Sequence, residues 1–235
     1  MALISRKYGC LFLMAPRTAC TALGRGVLIP FLAAEWLPAE PIVDARGEQI
    51  VDMKHSTLDQ LVAHRLLDRE EAGRLFKFTT VRNPFDSLVS MYTNMRDKYR
   101  ERLADPPDWM RRNPEFMDAT RRANEMSFTE WLAERFAGER SWRHPWARLV
   151  RRLPGPRHLY GEFIRGSDYV MRFERLQEDF WTVLDRIGVA ERLEIPQLNV
   201  SPARERDYRS YYTDRARRIA SYVFAPDLER FGYRF

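Results

Sequence analysis

Apolar positions along the chain alternate between short continuous runs and longer stretches with helical spacing. The continuous runs are "CLFLMA" from Cys10, "LFKFTTV" from Leu75 and "DYVMRFE" from Asp168. Runs of this kind are typical of strands that lie in a parallel sheet and are covered on both faces. Because these strands alternate with helical segments, the pattern predicts an α/β fold with a mostly parallel sheet flanked by helices.

Helical segments follow the strands and carry recognisable start and stop signals. Apolar residues recur three or four positions apart over about 21–32, 58–66, 85–92, 128–136, 180–187 and 214–224. Ser56 or Thr57 is a suitable N-cap for the second of these helices, and Asn83 followed by Pro84 suits the start of the third. Residues 97–160 are charged and interrupted by prolines, so we expect a helical insertion there, within one domain spanning 1–235.

Composition narrows the class of protein without identifying it. The chain has 235 residues, 45% of them hydrophobic, with a net charge of +6. Basic and acidic residues interleave along the whole chain, so we expect no nucleic-acid partner. Two cysteines cannot form a disulfide framework, and no apolar run reaches the ~20 residues of a membrane span. We therefore expect a cytoplasmic protein without a membrane span.

The turn after the first strand carries candidate anion-binding chemistry. It reads "APRTACTAL", with a charged Arg17 and the hydroxyls of Thr18 and Thr21 ahead of a helix. Amide groups at a helix start, hydroxyls and a guanidinium are the donors that hold phosphate. An ordinary connecting turn that happens to carry an arginine would read the same way, so this turn alone leaves both interpretations open.

A second strand-to-helix turn strengthens the phosphate interpretation. "FKFTTVRNPFDSLVSMY" places Arg82 at a strand end and Ser90 in the second turn of the next helix. The carboxyl ends of parallel strands form the ligand edge of such sheets. Arg17 and Arg82 are therefore expected at the same edge, where each could hold one phosphate.

Together the two turns resemble the sulfotransferases that use 3′-phosphoadenosine 5′-phosphosulfate (PAPS). "FLMAPRTACTAL" is similar to their 5′-phosphosulfate loop and "VRNPFDSLVSMY" to their 3′-phosphate motif, Arg-Asn-Pro-x-Asp-x-x-x-Ser. The likeness continues through "MKHST", "YVMRFERLQEDF", "IPQLNVS" and the closing "DLERFGYRF". It points to the carbohydrate-type branch, including its bacterial members. Arg17, Cys20 and Ala22 depart from the lysine, glycine and serine that are usual in the first loop.

The resemblance implies a fold like that of P-loop kinases and a set of nucleotide-binding residues. The 5′-phosphosulfate would be held by Arg17, Thr18, Ala19, Cys20, Thr21 and Ala22. The 3′-phosphate would be bound by Arg82 and Ser90, and a loop containing Ser201 and Arg209 would make further contacts. Sulfuryl transfer would pass in line to a hydroxyl acceptor, with Arg17 neutralising the leaving phosphate. No metal is required by this scheme, and residues 97–160 would lie on the acceptor side.

The acceptor hydroxyl also needs a general base. His55, in "DMKHSTL", stands where the resemblance places the base, and an imidazole with an ordinary pKa of about 6.5 is mostly neutral at physiological pH. His64 is expected on a helix surface, and His144 and His158 lie in basic loops. Glu174 is the alternative base, although an ion pair with Arg172 or Arg175 would explain it equally well.

Other interpretations remain open at this point. A small-molecule kinase would need a Gly-x-x-x-x-Gly-Lys-Ser/Thr loop, which the chain lacks. A sulfotransferase-like protein that binds the nucleotide but has lost catalysis is suggested by Cys20 and Ala22. Trp142 and Trp146 could stack on a sugar acceptor, and the arginines at 148, 151 and 152 could attract an acidic glycan. A carbohydrate acceptor rests on the family branch alone.

Overall fold

The computed structural model describes residues 2–52, 55–137, 155–198 and 207–235. The chain divides into two compact units. The first comprises Met1–Arg82 and Tyr160–Val200, and the second comprises Asn83–Leu159 and Ser201–Phe235. Each unit has its own apolar core.

The first unit is built on a five-stranded sheet. Its strands are β1 (Ala2–Ser5), β2 (Cys10–Leu13), β3 (Glu35–Leu37), β6 (Phe76–Val81) and β7 (Tyr169–Arg172), in the spatial order β3-β1-β2-β6-β7. The pairs β2–β6 and β6–β7 are parallel, whereas β1 pairs antiparallel with both β2 and β3. A separate hairpin joins β4 (Ile42–Val43) to β5 (Gln49–Val51).

Six helices complete the first unit. They are α1 (Cys20–Leu23), α2 (Ile29–Leu32), α3 (Leu58–Ala63), α4 (Arg69–Arg74), α9 (Gly161–Ile164) and α10 (Leu176–Arg186). A π-helical turn over Gly24–Leu28 joins α1 to α2. Apolar residues of α1, α2 and α10 pack with Phe12, Phe78 and Met171 of the sheet. This burial holds the helices on the strands and is the main stabilising contribution to the unit.

The three parallel strands end at the same edge of the sheet. Leu13 pairs with Thr79, Thr79 pairs with Val170, and Val81 pairs with Arg172. The hydroxyl of Thr79 also donates to the Leu13 carbonyl over 2.7 Å, which adds a side-chain bond to the β2–β6 ladder. The turns that follow β2, β6 and β7 therefore begin side by side.

The described residues of the second unit form helices and no strand. Its helices are α5 (Pro84–Thr93), α6 (Asp108–Arg111), α7 (Pro114–Glu125), α8 (Phe128–Ala137), α11 (Asp214–Val223) and α12 (Ala225–Phe231). Phe85, Tyr92 and Trp131 belong to its core, together with apolar residues of α7 and α11. Asn83 caps α5 by accepting from the Phe85 amide, and its own amide group donates to the Arg234 carbonyl near the chain end.

The prediction of an α/β fold with a mostly parallel sheet is confirmed, and all three predicted strands are present. Thr57 is the N-cap of α3, with a capping box to Gln60, and Gly188 follows α10 in the left-handed conformation. Strands β1 and β3 were not predicted, because ALIS and EWL hold only three and two consecutive apolar residues. Among the described residues, no helix has the length and apolar character needed to cross a membrane.

A close approach of two segments explains one glycine in the first unit. Gly26 lies in the π-helical turn after α1, and the segment around Pro196 packs directly against it. A Cβ at Gly26 would lie 2.9 Å from Pro196 Cδ and closer still to Cγ. The segment 195–198, "IPQL", therefore lies over the helical segment that follows the Arg17 turn. At position 26, only a residue without a side chain fits beneath this segment.

We expect Gly26→Ala to lower the free energy of unfolding by about 1 kcal/mol or more, because the overpacking outweighs the helix propensity that alanine gains. Gly73→Ala, in α4 where a Cβ would meet nothing within 4 Å, is the matched control. Gly73→Ala should raise the free energy of unfolding by about 0.5–1 kcal/mol. Urea denaturation of both variants measures the difference. Equal stabilisation by both substitutions would contradict the close packing.

Candidate functional site

The turn after β2 contains two side-chain-bearing residues in the left-handed conformation. Arg17 has φ 66° and Ala19 has φ 60°. Between them, the buried hydroxyl of Thr18 donates to the Ala15 carbonyl over 2.8 Å. Non-glycine residues adopt this conformation at a cost of about 1–2 kcal/mol each, so the surrounding contacts must hold the turn in place. Backbone of this kind is common at ligand sites.

The turn leads directly into α1. The Ala22 amide donates to the Ala19 carbonyl over 2.9 Å and the Leu23 amide donates to the same oxygen over 3.1 Å. An α-helix leaves the amides of its first turn to capping groups or anions. Cys20 and Ala22 are buried in the core, whereas Thr21 is half-buried. Two of the three side chains that depart from the usual loop pattern, those of Cys20 and Ala22, therefore pack inward.

Arg82 lies one residue beyond the end of β6 and is only 7% exposed. Its Nη1 donates to the Arg17 carbonyl over 3.1 Å, and its guanidinium lies 4.2 Å from the centroid of the Phe173 ring. Burial lowers the pKa of Arg82 from its usual value, while Tyr160 and Glu174 act in the opposite direction. A buried cation beside an anion-binding turn favours an anionic ligand, because pairing offsets the cost of desolvation.

His55 lies between β5 and α3 and contacts the end of β2. Its Nδ1 lies 2.7 Å from the Met14 carbonyl oxygen. Because a carbonyl only accepts hydrogen bonds, Nδ1 carries the proton in this contact, and the neutral ring then has its lone pair on Nε2. The neighbouring Thr57 is fixed by its capping box with Gln60. The contact therefore fixes the orientation of the His55 ring and makes Nε2 its basic nitrogen.

The remaining predicted site residues fall in different places. Ser90 is buried on α5, in the second unit. Arg209, also in the second unit, donates to Asp207 over 3.3 Å and its guanidinium lies 4.8 Å from the Tyr208 ring centroid. Ser201 lies outside the described residues, as do Trp142, Trp146 and the arginines at 148, 151 and 152.

Glu174 directly follows Phe173 at the end of β7 and is exposed. Its charge raises the pKa of Arg82, so its carboxylate lies close enough to influence this guanidinium. Arg175 contacts the carboxylates of Glu178 and Asp179, at 3.0 and 3.9 Å. Glu174 thus belongs to the same edge of the sheet as Arg82.

Three further groups at this edge are not singled out by the motifs: the Phe173 ring, the Met14 carbonyl and the Thr79 hydroxyl. Backbone acceptors leave no trace in sequence, so nothing could have predicted the role of Met14. Phe173 could have been found by aligning the two strand ends, because pairing Val81 with Arg172 puts Arg82 beside Phe173.

The other histidines of the described chain have different surroundings. His64 is exposed at the end of α3, and Nδ1 of His158 lies 2.9 Å from the Asp227 carboxylate in the second unit. His144 lies outside the described residues. Across the ranges that the structure describes, no group of three or more histidine, cysteine or acidic side chains is arranged to hold a metal ion.

We expect Cys20→Gly to lower the free energy of unfolding by about 2 kcal/mol, although glycine is usual at this position in the resembling loop. The substitution removes a buried side chain and adds backbone freedom at the first residue of α1. Cys20→Ala removes the thiol alone and should cost about half as much. Thermal and urea denaturation of both variants measure the effect. A gain in stability for Cys20→Gly would show that the turn is strained at Cys20.

Comparison with known proteins identifies two curated relatives and a family. The chain is 24% identical over 202 residues to carbohydrate sulfotransferase 11 of Mus musculus, and equally to that of Rattus norvegicus. The alignment covers 82% of this chain and 54% of each relative, so the chain spans about half the length of the curated relatives it matches. No solved structure matches it significantly. The model of the sulfotransferase family matches residues 1–234, and the chain therefore belongs to the sulfotransferase family.

Proposed function

We propose that the protein transfers a sulfuryl group from PAPS to a hydroxyl of a carbohydrate acceptor. The observation that carries this proposal is the turn after β2, whose flanking carbonyls contact both proposed key side chains. His55 contacts the Met14 carbonyl and Arg82 contacts the Arg17 carbonyl. An imidazole and a buried cation thus both contact the backbone of Met14–Arg17, and this supports a base and a phosphate-binding group beside the turn.

The donor nucleotide is implied by the family, and we assign its contacts residue by residue. The segment Arg17, Thr18, Ala19, Cys20, Thr21 and Ala22 binds the 5′-phosphosulfate. Its donors are the amides that start α1, the Thr21 hydroxyl and the Arg17 guanidinium. Thr18, whose hydroxyl donates to Ala15, contributes through its amide. Arg82 and Ser90 bind the 3′-phosphate, and Ser201 and Arg209 make further contacts with the nucleotide.

The chemical step moves one sulfuryl group and one proton. The acceptor oxygen attacks sulfur, the bond between sulfur and the oxygen of the 5′-phosphate breaks, and adenosine 3′,5′-bisphosphate leaves. His55 Nε2 accepts the proton from the acceptor hydroxyl, while Nδ1–H stays bonded to Met14. Arg17 neutralises the charge that develops on the leaving phosphate, and no metal ion is required. Glu174 is the alternative base if His55 serves only to position the acceptor.

The acceptor class rests on the names of the curated relatives, both carbohydrate sulfotransferases. We propose a carbohydrate hydroxyl as acceptor and residues 97–160 as the acceptor-side region of a single domain. The predicted cytoplasmic location and the predicted lack of a nucleic-acid partner stay predictions. A library of sugar acceptors with labelled donor would identify which hydroxyl is sulfated.

Calorimetry with adenosine 3′,5′-bisphosphate tests nucleotide binding. We expect micromolar affinity for the unmodified protein and losses of about 10- to 100-fold for Arg82→Ala, because a charge-assisted contact with phosphate is removed. Ser90→Ala should lose about 5-fold, as a neutral hydroxyl contributes less. Arg74→Ala is the control, since Arg74 is exposed and pairs with Glu70 one turn away. No binding by the unmodified protein would exclude the proposal.

The role of His55 is tested by His55→Asn, which retains an N–H donor for the Met14 carbonyl but removes the base at Nε2. We expect transfer to fall about 100- to 10,000-fold while affinity for adenosine 3′,5′-bisphosphate changes less than about 3-fold. His64→Asn, at an exposed position, should leave both unchanged. Full transfer by His55→Asn would move the base assignment to Glu174, and a Glu174→Gln variant would then lose activity.

A further inference from the structure

The Arg82 guanidinium is held between two groups of the first unit. One is the Phe173 ring, 4.2 Å from the guanidinium carbon, and the other is the Arg17 carbonyl, 3.1 Å from Nη1. The strand register explains the first contact, since Arg82 and Phe173 directly follow the paired residues Val81 and Arg172. Arg82 is buried and Phe173 is half-buried.

These contacts use different parts of the guanidinium. The Phe173 contact is made by the ring face with the guanidinium carbon, whereas hydrogen bonds are made by the five N–H donors of the guanidinium. The bond to Arg17 uses one donor of Nη1, so hydrogen bonding to a phosphate and bonding to Arg17 are compatible. The ring supplies attraction that does not compete with either bond.

The carbonyl that Arg82 binds belongs to the most constrained part of the anion-binding turn. Arg17 adopts the left-handed backbone conformation, with φ 66°, and Ala19 adopts it two residues later. In this conformation the Cβ crowds the backbone, and a residue stays there only when its surroundings hold it. The Arg82 bond fixes the direction of the Arg17 carbonyl and with it the peptide group that leads into Thr18.

We infer that Phe173 and Arg82 are positioning residues for the 5′-phosphosulfate turn. The Phe173 ring holds the Arg82 guanidinium against the Arg17 carbonyl, and this keeps residues 17–22 in their binding conformation before the nucleotide arrives. Arg82 thus acts at both ends of the nucleotide, directly on the 3′-phosphate and through the backbone on the 5′ side. The identity of the ligand rests on the proposed function, whereas the bracing of the turn does not.

Hydrogen exchange of the ligand-free protein tests the bracing without any nucleotide. Phe173→Leu keeps an apolar side chain but removes the ring face, and amide exchange in peptides covering residues 17–23 should accelerate about 3- to 10-fold, as expected for loss of a partly buried cation–π contact. Phe173→Tyr restores a ring and should exchange at the original rate. Exchange of α10, around Phe180–Leu184, should stay unchanged in both variants.

Phe76→Leu is the matched control, because it also removes a ring beside an arginine. The guanidinium carbon of Arg186 lies 5.8 Å from the centroid of the Phe76 ring. Phe76 is the first residue of β6, whereas Arg82 follows the last residue of this strand. We expect this variant to leave exchange of residues 17–23 unchanged. Unchanged exchange in Phe173→Leu, or equal acceleration in Phe76→Leu, would overturn the inference.

Two nucleotides then separate positioning from direct contact. Adenosine 5′-phosphosulfate lacks the 3′-phosphate, whereas adenosine 3′,5′-bisphosphate carries it. If Phe173 positions the 5′ turn, Phe173→Leu weakens binding of both nucleotides about 3- to 10-fold, measured by displacement calorimetry. If Phe173→Leu weakens binding of adenosine 3′,5′-bisphosphate alone, Phe173 serves only the contact with the 3′-phosphate, and the inference is overturned. Failure of the unmodified protein to bind either nucleotide would reject the proposed function instead, and the exchange experiment would still decide the bracing.

Discussion

Two backbone carbonyls at the end of β2 determine where the candidate site can be. The Met14 carbonyl accepts from His55 over 2.7 Å and the Arg17 carbonyl accepts from Arg82 over 3.1 Å. Both carbonyls belong to a strand and turn that are held by the ladders of β2 with β1 and β6. His55 and the buried Arg82 are therefore both positioned by hydrogen bonds to backbone that continues from the sheet.

This arrangement carries two energetic costs that the rest of the unit must offset. Arg17 and Ala19 occupy the left-handed region, and Arg82 carries a charge that is more than nine-tenths buried. The Thr18 hydroxyl, the Phe173 ring and the Arg17 carbonyl each offset part of these costs by a local contact. An anion bound at the turn would offset more, because it would pair with the guanidinium. A left-handed turn next to a buried positive charge is therefore a physical basis for anion binding.

The sequence was sufficient to predict much of the fold, for physical reasons that can be named. The apolar runs of β2, β6 and β7 stand out from the polar background, and β2 is buried along its whole length. The caps at Thr57 and Gly188 are strong local signals. Strands β1 and β3 lack such a run, since their sequences ALIS and EWL hold only three and two consecutive apolar residues. Arg17, Arg82 and His55 could be predicted as site residues from motifs. Their mutual arrangement could not, because it depends on carbonyl directions and on the strand register that places Phe173 beside Arg82.

The departures of the first turn from the usual sulfotransferase loop differ in their structural consequences. Cys20 and Ala22 are helical residues whose side chains are buried in the core, so they leave the backbone of the turn unobstructed. Neither Cys20 nor Ala22 adopts the left-handed backbone conformation, so the backbone does not require glycine at either position. Arg17 is different, because it is left-handed and carries the charge assigned to the leaving phosphate. Its backbone is restrained by Arg82, which means that the two arginines are not independent. A substitution at Arg82 therefore changes the turn that presents Arg17, and the effects of the two residues on nucleotide binding should be non-additive.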